Sequence, residues 1–307
     1  MQTILGSGGT IGTLLARELT AYTNDIRLVS RHPGKVNETD QLLNCDLTNR
    51  EQVLKAVDGS EIAYLTVGLP YRTKIWQTTW PVIMENVIAA CKKHGCKLVF
   101  FDNMYMYDAG HLSFMTEDTP VNPSSAKGKV RAEIAARLME EVSNGQIQAL
   151  IARSADFYGP AMDRGSLLME GVFKRYRQGK KANWLCSVQY KHSHTYTPDA
   201  AKATAMLGND PTAYQQIWHL PTAAEPPTGK EWMEAVAREL SIAPHYMVAS
   251  RLVVRLMGLV NPIMREFVEM LYQYDRDYVF DSSKFNQHYN FQPTAYEQGI
   301  KAVLKAR

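Results

Sequence analysis

The 307-residue chain has little net charge: 34 Lys and Arg against 31 Asp and Glu leave +3 with histidine neutral. It carries no basic stripe and no interleaved aromatic pattern, which excludes a nucleic-acid surface. Cysteine is scarce. Cys45, Cys91, Cys96 and Cys186 have no zinc-like spacing and no paired framework, so buried free thiols in a reducing cytosol are expected. Long uninterrupted apolar runs are missing too. The most apolar late stretch, 247–274, is broken by Arg251, Arg255, Pro262 and Arg265, so it is not expected to span a membrane. Strand-like sequence begins at Thr3, which leaves no room for a signal peptide. These absences describe a cytoplasmic protein with no membrane and no nucleic-acid partner, long enough for one large domain or two smaller ones. No P-loop, nucleophile elbow or paired-carboxylate arrangement occurs.

Glycine, by contrast, is concentrated at one place. Gly6-Ser7-Gly8-Gly9-Thr10-Ile11-Gly12 follows the apolar run Thr3-Ile4-Leu5, and Ile11, Leu14, Leu15 and Leu19 recur behind it at helical spacing. That is strand, tight turn and helix, the setting in which a glycine-rich turn holds a dinucleotide. Glycine lets a pyrophosphate approach the backbone with no Cβ in the way, and the helix offers free N–H groups and its positive dipole end. Gly6, Gly9, Thr10, Ile11 and Gly12 are therefore candidate cofactor residues. About 20 residues on, an NAD site would carry Asp or Glu; here stand Ser30 and Arg31. A carboxylate repels a 2′-phosphate and a guanidinium grips it, so NADP is expected in preference to NAD. Asp46-Leu47, ending a third strand, are candidates to hold the adenine. Val67-Gly68, ending a fourth, are placed to lie under the cofactor.

Strand-like and helical runs alternate to about residue 153, with a helix over 76–94, a fifth strand over 97–102 and a sixth over 148–153. Asn122-Pro123 is expected to cap a helix whose face is Val130, Ile134, Leu138 and Val142. Repeated βα units imply an α/β fold, a Rossmann-type doubly wound parallel sheet with a small C-terminal substrate lobe. The expected division is an NADP-binding domain over 1–160, with a returning strand near 216–221. An interleaved, mainly substrate-binding lobe over 161–307 completes it.

The chain resembles the extended, epimerase/dehydratase-like branch of the short-chain dehydrogenase/reductase superfamily over nearly its whole length. The resemblance rests on Gly6-x-x-Gly9-x-x-Gly12, Asp46-Leu47, Thr116-Glu117-Asp118-Thr119-Pro120 with Asn122-Pro123, and Lys129 with Glu133. Arg153 with Tyr158-Gly159-Pro160, and Asp199-Ala200-Ala201-Lys202-Ala203, extend it. It implies a tyrosine and a lysine four residues apart on one helix, the lysine binding the nicotinamide ribose and lowering the phenol pKa. A Ser or Thr after the fifth strand then orients the substrate oxygen. Lys129 matches the lysine, but Ser125 stands at the tyrosine position and Asn103 at the Ser/Thr position.

A serine hydroxyl is too weak an acid to replace a phenol. Three outcomes stay open: Tyr105 or Tyr107 supplies the phenol with Lys129 and Asn103 assisting, hydride transfer alone suffices, or the protein binds NADP(H) without turnover. The expectation is an atypical oxidoreductase, monomeric or homodimeric, reducing a small carbonyl or enone-like molecule; the alternative is a regulatory NADP(H) sensor. His192 and His194 on one side of a strand are weak metal-ligand candidates, since no carboxylate or cysteine lies at a convincing spacing, and no metal is expected. Asp156 is a candidate replacement acid.

Overall fold

The computed structural model describes residues 1–160, 162 and 165–306, and the chain divides into two compact units, each built from three segments. The first comprises 1–105, 127–153 and 200–220. Its core is a seven-stranded sheet of β1 (Gln2–Leu5), β2 (Ile26–Ser30), β3 (Gln41–Asn44), β4 (Ile62–Leu65), β5 (Lys97–Asp102), β6 (Ala149–Arg153) and β10 (Ile217–His219). The order is β10-β6-β5-β4-β1-β2-β3, and every pair is parallel. This is the expected Rossmann-type doubly wound sheet. Strands β1, β4 and β6 are buried along their whole length, as parallel strands covered on both faces must be. Their continuous apolar runs follow from that burial.

Helices supply the covering layers. Thr10–Leu19 buries Ile11, Leu15, Ala16 and Leu19. Thr73–His94 packs Trp76, Trp80, Ile83, Met84 and Val87 into the core and ends at Gly95, whose φ of 64° gives the left-handed turn that stops it. The helix Ala126–Ser143 buries Val130, Ile134, Leu138 and Val142, the expected face. Its start differs from the sequence expectation. Asn122 does not cap it: the Asn122 side chain donates to Asp108 at 2.6 Å and its N–H bonds Met106 O, tying it into the preceding loop. The helix begins four residues later, where Glu269 Oε2 accepts the Ala126 N–H at 2.7 Å.

The second unit comprises 106–126, 154–199 and 221–307. It holds two small parallel pairs, β7 (Asp156–Tyr158) with β9 (His194–Tyr196) and β8 (Ala182–Leu185) with β11 (Tyr246–Ala249). An aromatic core joins Tyr158, Trp232 and Tyr296 at ring separations of 4.9 to 6.1 Å. Helix Gly229–Glu239 starts with a reciprocal capping box between Thr228 and Glu231. All four cysteines are free thiols, three of them buried. Among the described residues no helix is long and apolar enough to cross a membrane.

Candidate functional site

Strand order reverses between β1 and β4, and ligands of open α/β sheets bind in the crevice at that point. The loops leaving these two strands meet there. Gly6 has φ +106°, and a Cβ on it would stand 2.4 Å from the Val67 backbone. A Cβ on Gly12 would stand 2.8 Å from Gly6 O and Ser7 Cα, so only glycine lets the helix start this close to the strand. Gly9 is the N-cap. It offers no side-chain cap, and the first turn has no acid, so the N–H groups of Thr10, Ile11 and Gly12 open onto an uncompensated positive helix end. Chemically, this turn can receive an anion.

A cavity of about 540 Å³ lies against it. Gly6, Gly9, Ser30, Arg31, Asp46, Leu47, Val67 and Gly68 line it, all of them singled out in the sequence. Thr10, Ile11, Gly12 and Lys129 do not line it. Gly8, Cys45, Thr48, Leu69 and Pro70 do, together with Ile75, Thr79 and Ile83, one helix face at four-residue intervals. That spacing was the available signal; the helix starts at Thr73, earlier than expected, and brings Ile75 with it.

Two charges border the cavity. The Arg31 guanidinium is exposed, while Asn44 Nδ2 donates to the Arg31 carbonyl and fixes the backbone beneath it. Ser30 Oγ accepts the His32 N–H at 3.3 Å. Asp46 is held below the usual carboxylate range, first by the Thr48 N–H at 2.9 Å, then by the Thr48 hydroxyl at 2.8 Å, and with help from Arg31. Burial pushes the Cys45 thiol up to about 11, so it is no nucleophile.

The residues expected to carry proton chemistry are placed unequally. Lys129 is exposed on its helix. Lys127 is the buried lysine: its Nζ donates to Thr73 Oγ1 at 2.9 Å and sits 4.5 Å from the Tyr71 ring centroid. Two residues on a helix are about 200° apart, so only one of the pair can face inward; Lys127 shares the inward face with Arg131, Ile134 and Leu138. Thr73 falls in the chain between Pro70 and Ile75, both cavity-lining.

Asn103 Oδ1 accepts the Tyr105 N–H at 3.1 Å, which commits its carbonyl to the backbone and leaves the amide N–H groups for a ligand. Tyr105 is half-buried and stacks on Trp76 at 6.1 Å. Tyr107, in the second unit, is buried in a bridge with Val121. Just before Asn103, Asp102 lies fully buried between Arg131 Nε at 2.6 Å and Arg153 Nε at 3.5 Å, which locks the end of β5. Ser125 is buried beside the phenol of Tyr272, a residue that no sequence motif singles out. Burial pushes the Tyr272 phenol up to about 12, with the Ser125 and Ser124 hydroxyls beside it acting the other way.

The second unit gathers Asp156, His192 and His194, their ligand atoms within 4.8 Å of one another. Asp156 Oδ2 meets His192 Nε2 at 2.9 Å and accepts the Tyr274 hydroxyl at 3.1 Å. The His192 ring is stacked between Tyr274 and Tyr278, at 4.7 and 4.2 Å. Burial, and after it His192, pushes His194 down to about 3, so that imidazole is neutral. The histidine ladder is therefore a packed, ordered element joined to a carboxylate that sequence spacing did not connect to it.

With this geometry in place the comparison with known proteins is decisive. Residues 3–218 match the model of the NAD dependent epimerase/dehydratase family. The chain belongs to that family. Among solved structures, UDP-glucuronic acid 4-epimerase from Bacillus cereus, in complex with UDP-glucuronic acid and NAD, superposes with TM-score 0.82 at 15% identity, covering 100% of this chain and 98% of that one. UDP-glucose 4-epimerase from Thermus thermophilus, in complex with NAD, gives 0.80 at 16%, covering 100% and 98%. The dTDP-glucose 4,6-dehydratase of Streptomyces venezuelae gives 0.79 at 13%, covering 99% and 96%. At these identities the likeness is one of fold. No curated protein matches the sequence.

Proposed function

We propose that this family member binds NADP(H) in the cavity beside Gly6–Gly12 and reduces a small, fairly apolar carbonyl or enone-like compound, its proton donor being a phenol other than the family's. One observation carries the cofactor reading: the cavity meets the end of β2 at Ser30 and an exposed Arg31, with no carboxylate on that strand end. The glycine turn and the uncapped helix start fit a pyrophosphate; Ser30 and Arg31 fit a 2′-phosphate. Residence of NAD in the family's solved members concerns those proteins. The acid at Asp46 lies in the loop after β3 and already accepts hydrogen bonds from Thr48.

When bound, the dinucleotide supplies the hydride. Lys127 then takes the role expected of Lys129: a buried ammonium, fixed by Thr73 and Tyr71, that holds ribose hydroxyls and favours charge on a neighbouring oxygen. The amide N–H groups of Asn103 orient the substrate carbonyl. Tyr105, in the same unit as Lys127 and Asn103, is the phenol to test; Tyr107 is buried in its bridge with Val121.

The test is titration of the purified protein with NADPH and NADH, followed by loss of NADPH absorbance against a panel of carbonyls and enones. NADPH binding with turnover supports the reading, and Lys127→Met should then lower turnover at least about 100-fold. Tyr105→Phe should lose turnover and keep NADPH affinity; full activity in that variant removes the phenol scheme. Failure to bind either nucleotide overturns the cofactor assignment. Binding without turnover favours a second reading, a non-catalytic NADP(H) sensor, which the serine at position 125 and the committed carbonyl of Asn103 support.

A further inference from the structure

Exposed apolar surface is distributed very unevenly. Ten of the sixteen large apolar side chains exposed among the described residues fall between Ile242 and Ile263. Helix Arg251–Val260 buries only Val254 and Gly258, and helix Pro262–Val268 buries none of its residues. The two helices form a preformed hairpin. Asn261 Oδ1 accepts the Ile263 and Met264 N–H groups, and Arg265 Nε donates to Gly258 O at 3.0 Å. A Cβ on Gly258 would stand 3.2 Å from Arg265 Cα, so glycine sets how closely they pack. The hairpin spends its inner face on itself. Outward it turns Leu252, Leu256 and Leu259, a stripe at helical spacing on the first helix, with Val260 at 86% exposure and, on the second helix, Ile263. A stripe of that size left in water marks an interaction surface.

Charge identifies the occupant. The 251–268 hairpin carries Arg251, Arg255 and Arg265, all exposed around the stripe, against one acid, the half-buried Glu266. Arg251 pairs with Asp275 at 3.0 Å; Arg255 makes no ion pair among the described residues. A two-fold interface with a second copy would set this cationic rim against itself, three arginines facing three with one half-buried Glu266 on each side to answer them. An apolar stripe edged by arginines suits the boundary between anionic headgroups and acyl chains. The longer helix has ten residues, about 15 Å, half the hydrocarbon thickness, so it lies in the surface and does not cross.

We propose that the 251–268 hairpin docks this protein on an anionic phospholipid membrane, apolar stripe inward and arginines at the headgroups. The test is flotation of the full chain with vesicles of phosphatidylcholine alone and of phosphatidylcholine with phosphatidylglycerol, at low and high salt. The expected result is association with the anionic vesicles, weakened by salt and nearly absent with phosphatidylcholine alone. Arg255→Glu should cut partitioning by at least about fivefold, and Leu256→Ser with Leu259→Ser should abolish it while circular dichroism stays unchanged. The wild-type comparison of lipids decides the matter even if a variant fails to fold. Absence of flotation with either vesicle overturns the proposal. So does a wild-type oligomer, seen by light scattering without lipid, that Leu256→Ser with Leu259→Ser disperses; the occupant is then a second copy.

Discussion

The two units handle polar groups in opposite ways. The first keeps its polar chemistry open: uncapped N–H groups at Thr10–Gly12, an exposed Arg31 and a cavity with glycines along one wall. The second closes its own: Asp156, His192 and His194 are packed among Tyr274, Tyr278 and Trp184, while apolar side chains are left outside on the 251–268 hairpin. One unit is organised to receive an anion without changing shape. The other holds its histidine–carboxylate cluster inside and leaves apolar side chains outside. A ligand for the first should therefore add charge, and a partner for the second should remove apolar surface from water.

The contrast breaks most visibly at Gly6. Gly6→Ala forces a Cβ into the Val67 backbone at a left-handed φ, and should cost about 3 kcal/mol in urea unfolding with loss of nucleotide binding. Wild-type affinity in that variant would mean that the turn is not the anion site. In the second unit the largest effect should come from pH. His194 is held neutral, its folded value near 3 lying below the ordinary 6.5. The unfolded chain binds that proton first, so stability is complete above 6.5 and drains away as pH falls toward 3. From pH 6.5 to 5 the loss is about 2 kcal/mol, and His194→Phe should flatten that slope in urea melts taken across the interval.

A smaller, sharper test returns to the cavity. Arg31→Asp should weaken NADPH about tenfold and leave NADH unchanged or tighter, measured by fluorescence titration. Equal losses for both nucleotides would place Arg31 on a group the two share. Last, Lys129→Met, on the exposed face, should change stability by less than about 0.5 kcal/mol and leave turnover intact.

The sheet was legible because parallel strands covered on both faces must be apolar along their length; Lys97–Asp102 was placed to the residue. The glycine turn was legible because steric exclusion leaves no other residue at Gly6 or Gly12. Lys127 was not. Counting four residues back to an expected tyrosine follows the chain, whereas a helix exposes or buries a lysine by its angle, and Thr73 and Tyr71, which receive Lys127, are remote in sequence. The helix start was misplaced because Asn122 found Asp108, and the donor at Ala126 was answered by Glu269, over a hundred residues away. The Ser125–Tyr272 proximity has the same character: nothing local to either residue announces it. Strand β11 was also missed, being a short pair with half its residues exposed and therefore lacking a burial pattern.

The edge strand β10 has a consequence for how the chain comes into being. It pairs with β6, whose five residues are all buried, yet 63 residues separate the end of one at Arg153 from the start of the other at Ile217. A ribosome that has released residues only as far as Arg153 presents β6 as an unprotected sheet margin, apolar and ready to pair with any passing strand. The partner arrives only after the whole 154–199 segment has been made. A truncation product ending at residue 153 should therefore self-associate rather than persist as a small nucleotide-binding fragment.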